Sequence, residues 1–226
     1  MSRHSVHFET QIVSLKKMML SLGALVEESV RDSLTALKER NTDLARSVIE
    51  GDEKIDQIEV ELEEECLKTL ALHQPVANDL RLVVTVLKVN NDLERIADLA
   101  SNIAERTIDL SKAAPITFPS TFLDMAEKSQ WMLKASLDAF VDLDPGLARK
   151  VCFADDEVDI ALKEMYRLFK NEVLHDPERI ERLTQLLSVS RYLERMADLA
   201  TNIAEDVVYL SEGQIVRHRS EVFLNP

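Results

Sequence analysis

A thirteen-residue stretch occurs twice in this 226-residue chain, one hundred positions apart. Residues 93–105 read LERIADLASNIAE and residues 193–205 read LERMADLATNIAE, so eleven of the thirteen positions are identical. The apolar residues of the first copy fall on one arc of a helical wheel, as in an amphipathic helix. The repeat therefore predicts a tandem duplication, in which each half of the chain folds into the same helical unit.

The composition favours long helices with few connections. The chain contains only four glycines and six prolines, whereas a sheet-rich fold needs turn residues about every ten positions. Its formal net charge is −14, and each half, 1–113 and 114–226, carries −7. This charge argues against nucleic acid as a partner and against direct binding to anionic lipid, and it favours cations or basic protein surfaces.

Six helices are predicted from heptad spacing and from helix-start signals. The first covers residues 8–37, and the second follows Asn41. Proline is tolerated in a first helical turn, and it marks the starts of the third, fifth and sixth helices, which lie at Pro75, Pro145 and Pro177. The third helix is expected over about 76–112 and the fourth over about 120–142.

The segment 113–119, AAPITFP, is the clearest linker in the chain. It divides the sequence into residues 1–113 and residues 114–226, and the helix pattern restarts after it. We therefore expect an all-α fold of two tandem three-helix bundles that pack side by side.

Cysteine usage and the lack of targeting segments indicate a cytoplasmic protein. Cys66 and Cys152 are the only cysteines and fall on apolar helix faces, so we expect small buried side chains in a reducing compartment. The N-terminus has no apolar core of signal-peptide length. No run approaches the roughly 20 apolar residues of a membrane span, so we expect no insertion into a membrane.

Oxygen-bearing side chains recur every four residues within each copy of the repeat. They are Glu94, Asp98 and Asn102 in the first copy, and Glu194, Asp198 and Asn202 in the second. On a helix this spacing stacks the three side chains along one stripe. The repeat thus carries a row of potential metal ligands.

The second and fifth helices supply matching acidic pairs. Each contains a DxxxD, and these aspartates are Asp52 and Asp56, Asp155 and Asp159. An antiparallel hairpin places residues equidistant from its turn at the same height. Asp52 with Asp98 and Asp56 with Glu94 have their midpoint at residue 75, and Asp155 with Asp198 and Asp159 with Glu194 have theirs at 176.5. Both midpoints coincide with the predicted turns, so four carboxylates should meet at one level in each half.

Such clusters of carboxylates favour a bound cation. Two carboxylates ~5 Å apart repel each other by roughly 0.8 kcal/mol even at the dielectric constant of water, and a cation removes this repulsion. Because the stripe contains neither histidine nor cysteine, it suits hard cations such as Mg²⁺, Ca²⁺, Mn²⁺ or oxidised iron. The sequence therefore predicts one metal site in each half.

Two other interpretations remain open. The stripes could be the solvated acidic face of amphipathic helices. Alternatively, the chain could be a carboxylate-bridged di-metal enzyme, since Glu172 and His175 form a Glu-x-x-His like that of ferritin-like proteins; this motif occurs once and has no partner. We expect Trp131 in the core of the fourth helix. Solvated positions are expected for the other histidines, which are His4, His7, His73 and His218.

The sequence resembles the PhoU family. The resemblance rests on the paired LERxADLAxNIxE stretches, on the segment from Leu44 to Asp56, and on residues 74–81, which read QPVANDLR. It covers essentially the whole chain and both repeats. It implies two three-helix bundles whose (E/D)xxxD motifs bind multinuclear iron or zinc clusters. Carried over by position, the ligands are the eight carboxylates named above. Asn102 and Asn202 extend the third-helix motifs, and Asp206 completes an NxxxD where the first half has Arg106.

The resemblance also implies a function. PhoU proteins act in the cytoplasm as non-enzymatic regulators of the phosphate-specific transport system. They link the ATPase subunit of the phosphate ABC transporter to the phosphate sensor histidine kinase, and they hold the phosphate-starvation response off when phosphate is plentiful. A homodimer is the expected oligomer. Because Arg106 and Asp206 differ in charge, the two metal sites are expected to differ in nuclearity or affinity.

Overall fold

The computed structural model describes the backbone of residues 3–213 and the side chains from residue 7 onward. These residues form six α-helices and one 3₁₀ turn, with no strand among them. The helices are α1 Arg3–Glu39, α2 Thr42–His73, α3 Ala77–Ser111, α4 Ser120–Asp142, α5 Pro145–His175 and α6 Ile180–Glu212. The all-α class predicted from the sequence is therefore confirmed.

The helices pack as two groups of three. α1, α2 and α3 contact one another, and so do α4, α5 and α6. The α3–α6 pair joins the two groups, with a smaller contact between α1 and α4. The result is a layer in the order α2, α3, α6, α5, with α1 and α4 together covering one side of it. The other side of the layer is left to solvent.

Heptad spacing explains the core. On α1, the fully buried residues Leu15, Met19, Leu22 and Val26 alternate steps of four and three, which keeps one stripe of the helix facing its neighbours. Burial of a leucine such as Leu22 contributes about 1.5–3 kcal/mol. One continuous apolar cluster runs through both groups of helices, so the two halves share a core.

Helix ends follow the predicted signals. The side chain of Asn41 accepts a hydrogen bond from the backbone amide of Leu44 at 3.0 Å, which caps α2. Asp144 caps α5 with Pro145 at the first helical position. The sixth helix departs slightly from the prediction, because Pro177–Arg179 first form a 3₁₀ turn and α6 begins at Ile180.

The first helix of each half differs in length. α1 has 37 residues, whereas α4 has 23. The linker compensates for this difference, since Ile116 and Phe118 pack against the core and Phe118 stacks on Phe122 with ring centroids 5.2 Å apart. The Arg40 side chain holds the start of the linker by donating hydrogen bonds to the carbonyls of Ser111 at 3.0 Å and Ala113 at 2.7 Å.

One core prediction is wrong. Trp131 is 42% exposed, beside Lys128, whose Nζ pairs with Glu157 of α5 at 2.8 Å. The apolar seam passes instead through Ser129, Met132 and Leu133, which are buried. The indole ring lies 5.7 Å from the Nζ of Lys128, a favourable arrangement of a cation over a ring face.

The two cysteines are shielded from solvent to different degrees. Cys66 is fully buried and Cys152 is partly buried, and both are free thiols. Burial raises the pKa of each thiol to about 12, so neither is reactive near neutral pH.

Among residues 3–213, no helix is both long enough and apolar enough to cross a membrane.

Candidate functional site

The predicted carboxylates lie along the solvent side of two seams between helices. In the first half, Asp52 and Asp56 come from α2 and Glu94 and Asp98 from α3. The opposite side of this seam is covered by α1, so the acidic residues lie on the uncovered side of the layer. Asp52 and Glu94 are half-buried, whereas Asp56 and Asp98 are exposed.

Hairpin geometry brings the predicted pairs of the first half together. Desolvation raises the pKa of the Asp52 carboxyl above its ordinary value, and the nearby charges of Asp56 and Asp98 raise it further. Desolvation also raises the pKa of Glu94, with Asp98 and Asp56 as the next causes. Each member of the pairs predicted from the turn at residue 75 is therefore close enough to repel its partner.

The second half repeats this arrangement more strongly. Desolvation, followed by the charges of Asp198 and Asp159, raises the pKa of Asp155 to about 6. Burial, followed by the same two charges, raises the pKa of Glu194. The pKa of Asp198 is raised by burial and by Asp159. A carboxylate whose pKa is raised by neighbouring carboxylates would be stabilised by a cation.

The donor set fits a hard cation, but the side chains do not form a preformed coordination sphere. Among the residues whose side chains are described, no three His, Cys, Asp or Glu side chains are arranged to hold a metal ion. The donors are carboxylate oxygens on the exposed side of α2/α3 and α5/α6. Their side chains would have to rotate toward a common point in order to coordinate one ion.

Two asparagines that were predicted as additional ligands lie at the margin of the stripes. The side-chain amide of Asn102 donates a hydrogen bond to the backbone carbonyl of Asp98 at 2.8 Å. Asn202 is exposed and lines a groove of about 640 Å³ between α3 and α6, together with Lys88 and Glu205. The structure therefore keeps Asn102 beside the first stripe and turns Asn202 toward the other helix pair.

Asp206, predicted to complete an NxxxD of the second stripe, lies instead in the α3–α6 interface, as does Arg106 at the equivalent position of the first half. The Oδ1 of Asp206 is buried 3.1 Å from the Nζ of Lys88 on α3. Arg106 donates from Nη1 to the Oε1 of Gln185 on α6 at 3.2 Å. Each step of four residues turns a helix by about 40° beyond a full circle. After three steps from Glu94 or Glu194 the side chain has rotated from the stripe to the α3–α6 interface.

These two cross-helix contacts also fix the relative height of the stripes. Arg106 lies opposite Gln185 and Lys88 opposite Asp206, so α3 and α6 are antiparallel and Asp98 lies at about the height of residue 195. Antiparallel neighbours in a layer are related by an axis perpendicular to that layer. The two acidic stripes consequently open on the same side of the layer and at the same height.

The first stripe contains a fifth carboxylate, Glu59, that was not predicted from the sequence. Glu59 is half-buried, and burial followed by the charges of Glu63 and Asp56 raises its pKa. Its Oε1 accepts a hydrogen bond from the Asn90 side chain at 3.0 Å. The spacing from Asp52 to Asp56 to Glu59 follows one helix face and could have revealed it. The corresponding residue of α5 is Leu162, so the two stripes differ at this position.

A hydroxyl beside each of the half-buried residues Asp52 and Asp155 was also missed. Ser101 lies beside Asp52 and partly offsets the rise in the pKa of that carboxyl. Thr201, the equivalent residue of the second repeat, acts in the same way on Asp155. The sequence offered one signal for this role. The two repeats differ at this position, yet both keep a hydroxyl, as Ser101 and as Thr201.

The histidines and the single Glu-x-x-His do not form a second site. The Oε2 of Glu172 accepts a hydrogen bond from the Nη1 of Arg179 at 2.5 Å. His73 is half-buried against the ring of Phe8, with centroids 5.4 Å apart, rather than fully solvated as predicted. His7 is exposed. The side chain of His4 and all of His218 lie outside the described residues.

Comparison with known proteins identifies the family. A family model described as the PhoU domain matches residues 19–107 and 122–207, and each match contains one acidic stripe. The chain belongs to the PhoU family. The resemblance found in the sequence is therefore confirmed. Among curated relatives, a phosphate-specific transport system accessory protein PhoU homolog from Aquifex aeolicus is 39% identical over 209 residues, which are 92% of this chain and 95% of the relative.

Solved structures of PhoU proteins share the fold. The crystal structure of PhoU from Pseudomonas aeruginosa superimposes with a TM-score of 0.89 at 36% identity, covering 92% of this chain and 100% of that chain. The phosphate transport system regulatory protein PhoU from Streptococcus pneumoniae gives a TM-score of 0.82 at 30% identity, covering 92% of this chain and 99% of that chain. These relatives carry the names of accessory or regulatory proteins rather than of enzymes.

Proposed function

We propose that this protein regulates phosphate uptake and represses the phosphate-starvation response. The observation that carries the proposal is membership of the PhoU family over both repeats, with relatives named as accessory proteins of the phosphate-specific transport system. In this role the protein is a cytoplasmic adaptor. It binds the ATPase subunit of the phosphate ABC transporter and the phosphate sensor histidine kinase, and it acts as a homodimer.

The acidic stripes are proposed as the metal sites of this adaptor. The first would use Asp52, Asp56, Glu94 and Asp98, with Asn102 beside them, and the second the equivalent residues Asp155, Asp159, Glu194, Asp198 and Asn202. Burial, and after it the repulsion of neighbouring carboxylates, raises the pKa of Asp155 and of Glu94, and this repulsion supports a bound cation. The family resemblance favours iron or zinc, and oxygen donors also suit magnesium, manganese or calcium.

The competing function, a carboxylate-bridged di-metal enzyme, has little support. Such enzymes place Glu-x-x-His motifs on two helices of one bundle. In this chain the motif occurs once, and its Glu172 is engaged by Arg179. Within the part of the chain that the structure describes, the stripes lie on a helix surface where Asp56 and Asp98 are exposed, unlike the enclosed site that a substrate pocket requires.

A deletion strain tests the proposed regulation. Loss of the gene should give constitutive expression of phosphate-starvation genes at high phosphate, and a plasmid copy of the wild-type gene should restore repression. The purified protein should show no redox or hydrolytic turnover. Phosphate signalling that is unaltered by the deletion would overturn the proposal, and metal-dependent turnover of a substrate would favour the enzyme.

A further inference from the structure

The two edges of the helical layer are formed by equivalent helices of the two repeats. α2 packs against α1 and α3, and α5 packs against α4 and α6, so each has an outer face that no other helix covers. The two helices align from Leu44 and Leu147 at an offset of 103 residues over most of their length, whereas their ends, Leu72-His73 and Leu174-His175, match at an offset of 102. Their outer faces can therefore be compared position by position.

Both outer faces expose large apolar side chains. On α2, Val60 and Leu67 are 51% and 53% exposed. On α5, Ile160 and Leu174 are 65% and 71% exposed. These side chains are separated by charged residues and are anchors that a partner helix could cover only together with the charges around them. Ile160 is specific to the second repeat, since the equivalent position of α2 is Gln57, whereas Leu174 matches the exposed Leu72 at the end of α2.

Two nine-residue segments of these faces carry opposite charge, and the α5 segment begins just after the exposed acidic residues Asp156 and Glu157. Residues 60–68 of α2 contain four glutamates and one lysine, a net charge of −3. The equivalent residues 163–171 of α5 contain two lysines, one arginine and one glutamate, a net charge of +2. Most of the acidic and basic side chains concerned are exposed. The difference is unexpected in a chain of net charge −14, because it places a local basic surface on an acidic protein.

We propose that the outer face of α5, around Ile160, Arg167 and Lys170, binds the outer face of α2, around Glu61, Glu64 and Leu67, of a second copy of this chain. The segments have equal length, about 13 Å at 1.5 Å per residue, and they oppose in charge, with Leu67 as an exposed apolar residue of the first and Ile160 lying one turn before the second. Arg167 is paired with Glu164 of its own helix, but an exposed pair of this type contributes little and exchanges readily.

The proposed contact joins different surfaces of the two copies and is therefore heterologous. Its repetition generates a ring or an open chain of molecules rather than a closed pair. It is distinct from the homodimer implied by the family resemblance, and it does not depend on the metal sites or on the proposed regulation. Complementary charge would orient the two copies and disfavour contacts between like edges.

Two charge-reversed variants test the contact. The first is Arg167→Glu with Lys170→Glu, and the second is Glu61→Lys with Glu64→Lys. Weight-average mass is measured by sedimentation against concentration, at about 0.15 M salt, where the Debye length of about 8 Å screens the long-range repulsion between the acidic molecules. Wild-type mass should rise with concentration. Each variant alone pairs like charges at the contact and should associate at least about tenfold more weakly.

An equimolar mixture of the two variants provides the decisive measurement. In the mixture, native α2 of the first variant can meet native α5 of the second, and the two reversed faces also complement each other, so association should return to the wild-type level. Lys16→Glu with Lys17→Glu on the exposed face of α1 makes the same charge change as the first variant and should leave association unaltered. Ile160→Gln, which introduces the α2 residue, should weaken association without changing charge.

Three results would overturn the proposal. They are a wild-type mass that is independent of concentration, charge-reversed variants that associate like the wild type, and a mixture that fails to recover association. Circular dichroism of each variant verifies that the helices are intact, so a misfolded variant cannot imitate the expected loss.

Discussion

The Nζ of Lys88 on α3 lies 3.1 Å from the Oδ1 of Asp206 on α6, in the interface that joins the two halves of the molecule. Asp206 is 1% exposed, and the lysine Nζ also lies 5.7 Å from the ring centroid of Tyr209. The charged form of a carboxylate at such a position is stabilised by the neighbouring lysine, because water cannot reach the site to replace that ion pair if the lysine is removed.

Removing the lysine should therefore destabilise the protein more than removing the pair. We expect Lys88→Met to lower the free energy of unfolding by about 1–3 kcal/mol, since it leaves a buried charge. The double variant Lys88→Met with Asp206→Leu should recover most of that loss, because apolar replacements of a buried pair are often neutral. Urea unfolding measures both values. Lys16→Met on the surface is the control, and equal stability of Lys88→Met and the control would contradict the expectation.

The raised pKa of Asp155 predicts a pH-dependent effect in the metal-free protein. Its pKa of about 6 when folded lies above its ordinary value of 3.8. The folded state thus binds this proton more tightly, and the associated stabilisation is present below pH 3.8 and is lost as the pH rises through about 6.

Replacement of Asp155 by asparagine should remove this loss. Asp155→Asn is expected to stabilise the metal-free protein at pH 8 by about 1 kcal/mol, after allowance for solvent screening of a half-exposed carboxylate. Near pH 4 the gain should be much smaller. Thermal unfolding across this pH range, with Asp124→Asn at an exposed position of α4 as the control of equal charge change, gives the comparison. A gain that does not depend on pH would show that the charge of Asp155 is not its cause.

Neutral, nearly isosteric replacements should separate the two proposed metal sites. Asp56→Asn with Glu94→Gln is expected to empty the first site and leave the second nearly unaffected, and Asp159→Asn with Glu194→Gln should do the reverse. Each variant should lose about half of the bound metal and part of the thermal stabilisation by metal. Metal analysis of protein purified without chelators, and melting temperatures with and without metal, measure these effects. If both variants keep their full metal content, the stripes are solvated acidic faces.

Two helical glycines should respond differently to the same substitution. A Cβ added at Gly51 meets no atom within 4 Å, whereas at Gly23 it would lie 3.3 Å from both Cδ atoms of Leu137. Gly51→Ala should therefore raise the free energy of unfolding by about 0.5–1 kcal/mol, the usual gain of alanine in a helix. Gly23→Ala should gain less or lose stability, because α1 and α4 approach closely there. Chemical unfolding of both variants tests the difference.

The architecture was accessible from the sequence because its signals are local and repeated. The turn at residue 75 lies between the end of α2 at His73 and the start of α3 at Ala77. Counting outward from that turn correctly paired Asp56 with Glu94, since an antiparallel hairpin leaves little freedom of register. The duplication provided a second, independent count around Asp176.

The features that sequence analysis missed depend on the angular position of a side chain around a helix. Asp206 continues the four-residue spacing of the stripe, but the accumulated rotation turns it into the interface with Lys88. Trp131 is apolar, yet the buried seam of α4 passes through Met132 and Leu133 instead. Spacing along the chain defines a stripe only over about two turns, and beyond that distance the neighbouring helix decides which side chains are covered.

Because the two acidic stripes open on one side of the layer and at one height, they present a bivalent surface. A rigid partner that binds one stripe is held close to the other at a fixed separation, so its second attachment is intramolecular. Avidity then makes the affinity for the whole surface much greater than the affinity for either stripe. Loss of a single stripe should consequently weaken such a partner far more than twofold, although half of the surface remains.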